Sequence, residues 1–260
     1  MSHELSFRQN VMLGSVAALI EGVLLQPTLY WKNAQAQGLP FTLNPRKLYR
    51  GTGASIFNEM AVMAMQFGVT SYAQRAGHFE NNGDIIAAVV GGLASAFLSA
   101  PIELIMIKQQ LQGGGFFGVT YHTISSYGLG SSGLYRGLVP AIFRDSLYVG
   151  SMLGVTPLLQ NYLEKRHGQS KLMASFNASI CGGIMAAIPS HPFDIVKTCM
   201  QGDLEQKVYR SSLHTAQVLF RQGGLQRLLA GCGWRTVNIV STVYIANECK
   251  NRLESSFRHL

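Results

Sequence analysis

Apolar residues along this chain gather into six long stretches, at about 11–31, 52–74, 85–107, 137–163, 172–193 and 228–247. Each reaches the roughly 20 residues that a helix needs to cross the hydrocarbon of a bilayer. The first, third and fifth lack the polar stripe that a helix of a soluble bundle turns to water. The pattern predicts an all-α membrane protein with six transmembrane helices. Within the odd stretches, small residues recur four apart: Gly14, Ala18 and Gly22, then Ala88, Gly92 and Ala96, then Ser179, Gly183 and Ala187. A four-residue step keeps them on one helix face, where they let a second membrane helix approach closely.

Each of these triplets ends five residues before a proline, at Pro27, Pro101 and Pro192. The fullest motif follows the last one: Pro192-Phe193-Asp194-Ile195-Val196-Lys197, closed by Gln201. A weaker copy has Pro101, Glu103, Lys108 and Gln110, and an eroded one has Pro27 to Lys32. Three copies at a spacing of tens of residues make an internal repeat. We place the repeats at 1–80, 81–167 and 168–260, joined in one membrane domain. Each proline is expected to kink or end its helix, because it lacks an N–H and crowds the preceding turn. Further on, Tyr49-Arg50-Gly51 and Tyr135-Arg136-Gly137 open the second and fourth stretches, with Leu229-Ala230-Gly231 in the matching place of the third repeat. A glycine opening a helix leaves backbone N–H groups for phosphate, and at a membrane surface that phosphate is a lipid head group. Gly51, Gly137 and Gly231 are therefore candidate lipid-binding positions.

Charge sharpens this picture. Segments 32–50, 108–136 and 197–230 hold eleven of the 21 Lys and Arg but two of the 13 Asp and Glu. They are the three loops on one side of the six-span arrangement, so the net charge of +8 is a topology signal, suited to anionic lipid, and not a nucleic-acid surface. Cys181, Cys199, Cys232 and Cys249 form no metal spacing and are expected to be reduced packing residues. No nucleophile–base pair is visible, so no enzyme and no cofactor is expected. The polar stretch Met1–Asn10 does not read as a cleavable leader.

These motifs resemble the mitochondrial carrier family over nearly the whole chain. The resemblance implies three pseudo-symmetric two-helix repeats around a central cavity, in the mitochondrial inner membrane, multi-pass, working by alternating access. Structural cardiolipin is the one associated molecule it suggests besides substrate, and no protein partner is evident. It also implies a gate at which the acid of one repeat pairs with the first base of the next. Glu103 would then pair with Lys197, Asp194 with Lys32, and Leu29 would meet Met106 in place of a third ion pair. On that pairing, exchanging the charges of Lys32 and Asp194 should partly restore transport. The first loop, 24 residues from Pro27 to Gly51 against 36 and 39 in the other repeats, is too short for the surface helix found in the family.

Family carriers bind substrate midway along the even helices. Seven residues past each opening glycine stand Asn58, Arg144 and Asn238, with Glu59 and Asp145 beside the first two, Arg235 one turn before the last, and Glu21 at similar depth. Charges at membrane depth are costly and mark substrate paths. Arginine offers a fork to a carboxylate, so Arg144 and Arg235 are the expected anchors. The third repeat most resembles the tricarboxylate (citrate) carriers, through Asp194-Ile195-Val196-Lys197-Thr198, Met200-Gln201-Gly202, Glu205, Lys207 and Tyr209-Arg210. Exchange of tricarboxylates or dicarboxylates is the leading expectation. Arg144-Asp145 instead resembles the contact pair of amino-acid carriers. A carrier-derived protein with an adaptor role is the alternative outside transport.

Overall fold

The computed structural model describes residues 19–76 and 83–242; Gly14, Ala18, Cys249 and the outer ends of the first and last apolar stretches lie outside them. The described residues form helices and turns, with no strand among them. A helical run at 19–24 breaks at Leu25 and continues as α1 (Gln26–Ala36). Then follow α2 (Pro45–Leu48), α3 (Thr52–Ala76), α4 (Gly83–Gln112), α5 (Phe116–Tyr127) and α6 (Leu138–Val149). A π-helical turn, Gly150–Val155, joins α6 to α7 (Thr156–His167). Next come α8 (Lys171–Gly202), α9 (Ser212–Leu228) and a last helical run at 232–242.

Neighbour contacts run around a ring. The 19–24 run meets α3 where Gly22 abuts Ile56. From there α3 packs on α4, α4 on α6, and α6 and α7 on α8. Gly183 of α8 then meets Ile239, and Trp31 of α1 lies tilted against Trp234, so the 232–242 run closes the circle. The small residues sit at these seams. A Cβ added at Gly92 would lie 2.6 Å from the Asp145 carbonyl oxygen, and one at Gly182 would collide with the Thr156 hydroxyl. The close approach expected of the small faces is made by Gly22, Gly92 and Gly183.

The prolines of the second and third repeats do not end their helices. Pro101 lies inside α4, and both Pro189 and Pro192 lie inside α8, neither of which ends there. Serine hydroxyls donate to carbonyls in the turn before each proline: Ser99 to Ala96, and Ser190 to Ala186. Only at Pro27 is there a break, and it comes two residues earlier, at Leu25.

Among the described residues one stretch, Val89–Gln112, is long and apolar enough to cross a membrane by composition alone. The even helices place charge inside their apolar runs, as at Glu59, Arg144, Asp145 and Arg235, and this lowers their mean hydropathy. Cys199 is buried, Cys232 is half-buried and Cys181 is exposed, all as free thiols. Cys181 is thus not packed within the described residues. It shares the outward face of α8 with Ile184, Met185 and Ile188.

The loops obey the length argument. In the first repeat the connecting helix α2 has four residues, against twelve in α5, while α9 runs helically from Ser212 to a break at Gly223 and Gly224, whose backbone is not helical.

Gly92→Ala should lower the melting temperature, because backbone and not a flexible side chain occupies the space its Cβ needs. Overpacking of this kind costs about 1–3 kcal/mol. Gly53→Ala, with nothing within 4 Å, serves as the control and should be neutral or slightly stabilising. Equal melting curves for the two variants would show that the α4–α6 seam has room to spare.

Candidate functional site

The motif residues after the three prolines converge at one level of the ring. Lys32 Nζ lies 2.9 Å from Asp194 Oδ2, and Lys197 Nζ lies 2.6 Å from Glu103 Oε2. Both expected pairs are therefore present as contacts. Lys197 also approaches Asp194 Oδ1 at 3.4 Å, from one turn along the same helix. Leu29 packs against the apolar cluster of Ala54, Ile102, Met106 and Ile107, so the third position is an apolar contact with no charge left over.

Arg144, an expected anchor, is joined to three carboxylates. Its Nη1 reaches Glu103 Oε1 at 2.7 Å and Asp194 Oδ1 at 3.3 Å, while Nε holds Asp145 Oδ1 at 2.6 Å. The side chain expected to anchor substrate links the carboxylates of Glu103 and Asp194. Apolar Leu29 and Met106 remove one acid and one base together, so the two carboxylates and Lys32 and Lys197 already balance. Arg144 is a further cation beside them, and its fork of donors brings in Asp145 as a third acid. Asp145 is fixed further by the Ser99 hydroxyl, which donates at 3.1 Å.

Arg235 is less committed. Its Nη2 donates to Ser190 Oγ at 2.8 Å; its Nη1 has no hydrogen-bond partner and lies 4.0 Å from Asp194 Oδ2. Asn58 Oδ1 and Glu21 Oε1 are likewise buried without a hydrogen-bond partner, although the Glu21 carboxylate also meets Thr242. Asn238 donates to Thr28 Oγ1 at 2.9 Å. Glu59 is half-buried, within electrostatic reach of Glu103, Arg144 and Asp145. Across the whole group four bases (Lys32, Arg144, Lys197, Arg235) face five acids (Glu21, Glu59, Glu103, Asp145, Asp194). His191 is fully buried beside the network and bonds the Ala230 carbonyl through Nε2.

The three opening glycines share one conformation. Gly51, Gly137 and Gly231 have φ of 81°, 83° and 84°, in the left-handed region. Each sits against the neighbouring repeat: a Cβ would lie 3.1 Å from Met106 Cγ, 3.3 Å from Lys197 Cγ and 3.0 Å from the Lys32 carbonyl oxygen. The next residue in each case, Thr52, Leu138 or Cys232, returns its N–H to the carbonyl three positions back. One of the donors expected to be open to phosphate is therefore used within the turn.

Two arginines complete this end of the ring, and only one stood in a motif. Arg136, almost fully buried, gives Nε to the Met200 carbonyl at 2.7 Å and other donors to the carbonyls of Tyr209 and Arg210. In the third repeat Ala230 stands where a base would be. Arg227, three residues earlier, supplies it instead, donating to the carbonyls of Ala36 at 2.7 Å and Gln35 at 3.3 Å. Met200 and Gln35 both lie eight residues past a repeat proline, so the two arginines bind equivalent places. The loop beyond α8 is held by Asp203, which accepts N–H groups from Lys207, Val208 and Tyr209. Its burial opposes ionisation, but those donors together with Arg136 outweigh it and keep the carboxyl below its ordinary range.

Comparison with known proteins agrees with this architecture. The sequence profile of the mitochondrial carrier protein family matches residues 77–167 and again 168–256. The chain belongs to the mitochondrial carrier family, whose members are transporters and not enzymes. It is 28% identical over 210 residues to the mitochondrial glycine transporter YMC1 of Saccharomyces cerevisiae, covering 73% of this chain and 68% of the relative. It is 23% identical over 269 residues to the mitochondrial tricarboxylate transporter 1 of Mycosarcoma maydis, covering 89% of each. With the mitochondrial 2-oxodicarboxylate carrier 2 of Saccharomyces cerevisiae it shares 27% over 201 residues, 71% of this chain and 64% of the relative.

Lys32→Ala should impair transport, since breaking one partner of a buried pair costs about 3–5 kcal/mol. The contacts of Asp194 reverse the expectation for the charge exchange. A lysine at 194 would face Lys197, Arg144 and Arg235, so Lys32→Asp with Asp194→Lys should carry no more flux than either single variant. Recovery in the exchange would show that Asp194 answers to Lys32 alone.

Proposed function

We propose that this chain exchanges small carboxylate metabolites across the mitochondrial inner membrane by alternating access, with its three repeats crossing the membrane six times around a central cavity. The observation that carries the reading is Arg144, buried in the ring and joined at once to Glu103, Asp145 and Asp194. A substrate carboxylate that takes over its Nη1 leaves each gate carboxylate with one cation fewer. Substrate binding is then coupled to opening. Arg235, whose Nη1 is unbonded, makes the first contact, and Asn58, Glu59, Asp145, Asn238 and Glu21 shape the rest of the site. Glycine, tricarboxylates and 2-oxodicarboxylates, named for the relatives, differ in charge but all present a carboxylate.

Tricarboxylate or dicarboxylate exchange is the first reading, supported by two buried arginines converging on one carboxylate. An amino-acid substrate is the second, favoured by the Arg144–Asp145 contact and by the excess of acids over bases. That local charge suits a zwitterion, or an anion moved with a proton, better than an unaccompanied trianion. At the gate end, Gly51, Gly137 and Gly231 are proposed to seat cardiolipin, with basic loops around them.

A thermal-shift screen of citrate, malate, 2-oxoglutarate, amino acids and nucleotides, followed by flux in vesicles, tests the substrate class. Di- or tricarboxylates should stabilise the protein and exchange. Stabilisation by amino acids alone would move the assignment to the second reading, and no flux with folded protein would favour the adaptor role. Arg144→Ala should abolish exchange of whichever substrate is found; retained flux would remove Arg144 from the coupling. Cardiolipin should raise the melting temperature, and an unchanged curve would count against the lipid seats.

A further inference from the structure

The first loop, too short for a surface helix, does something else with its length. Past α1 the chain reverses at Gly38, whose φ is 71°, and runs back through Leu39-Pro40-Phe41-Thr42-Leu43 before α2. This strap is fastened to the ring. Phe41 stacks on Trp31 at 5.1 Å between ring centroids, Trp31 meets Trp234 at 4.6 Å, and the Trp31 indole N–H donates to the Thr42 carbonyl at 2.9 Å. Asn44 caps α2 through the Arg46 N–H, and Leu48 locks α2 down against Tyr30 and Ala34.

A strap held this firmly would be expected to turn its apolar groups inward. Instead Phe41 is 62% exposed and Leu43 68%, with Leu39 exposed beside them. Beyond them stand the bases Arg46, Lys47 and Arg50, and no acid occurs between Glu21 and Glu59. In the other repeats the same kind of exposed apolar group is carried by helices: Phe117, Tyr121 and Ile124 on α5, and Leu213, Phe220 and Leu225 on α9. Aromatic rings beside apolar groups, followed by bases with no opposing acid, match the head-group layer of an anionic bilayer. Rings sit at the level of the head groups, and each base near the surface adds attraction.

We infer that the strap 39–43 lies in the interfacial layer of an anionic lipid bilayer, with Leu39, Phe41 and Leu43 among the upper acyl carbons and Arg46 and Lys47 among the phosphates. It takes the place that α5 and α9 occupy in the other two repeats. The strap also covers the seam between α1 and the 232–242 run, where the two ends of the ring meet. The inference does not depend on which substrate is carried.

The chain has two tryptophans, both in this cluster, which makes an optical test possible. Leu43→Trp is placed in a Trp31→Phe/Trp234→Phe background, and the full chain is reconstituted in vesicles containing anionic phospholipid. Lipids brominated near the head group should quench the new tryptophan about twofold more than lipids brominated near the chain end, as an interfacial seat requires. Aqueous acrylamide should quench it weakly. The same substitution in the otherwise unaltered protein, read as a difference, supplies the measurement if the background variant folds poorly. Strong acrylamide quenching without lipid quenching would place the strap in water. Stronger quenching from the deep bromines would place it in hydrocarbon, and quenching by neither would place it under protein. Each of these three outcomes overturns the interfacial seat.

Discussion

The Asp194 carboxylate has two oxygens and four cationic neighbours drawn from four parts of the chain: Lys32 of α1, Arg144 of α6, Lys197 on its own helix, and Arg235 of the 232–242 run. A carboxylate so deeply buried is unfavourable without such partners, and a base beside it would be equally unfavourable alone. The group is therefore interdependent. It exists only when α1, α6, α8 and the last helical run stand around one level of the ring. Glu103 brings in α4 through Lys197 and Arg144.

Glycine makes that convergence geometrically possible. Gly92 lets α4 come within contact of the Asp145 backbone, next to the residue whose guanidinium bridges the network. Gly137 and Gly231 turn the chain through left-handed backbone against Lys197 and Lys32, the two lysines paired with Glu103 and Asp194. Charge and close packing are thus not separate layers here. The residues that permit helix contact are neighbours in space of those that hold the ions.

Much of this was legible in the residue order because it recurs. Small residues four apart and a proline survive in three copies, and the acid and the base at fixed offsets in two each, and recurrence identifies which positions face each other. What recurrence could not show is where side chains outside the repeated motif reach. Arg144 reads from its position as a substrate anchor, and only the distances to Glu103 and Asp194 show that it also joins the ion pairs of the motif residues. Arg227 likewise stands outside its motif, three residues before Ala230, and its replacement of the missing base depends on the helix bringing it to the Ala36 carbonyl. Pro101 and Pro192 end no helix in the structure, a choice between kink and stop that the proline alone does not announce.

The π-helical turn at Gly150–Val155 has a consequence for the wall of the ring. In an uninterrupted α-helix, residues twelve apart such as Arg144 and Thr156 would point about 120° away from each other. A π turn absorbs one extra residue and removes about 100° of that difference. Both side chains consequently address α8, Arg144 at Asp194 and Thr156 at Gly182. The turn acts as a phase shifter. It resets the angular position of everything beyond it, so the faces of α6 and α7 are kept in step by the number of residues between them as well as by their identity.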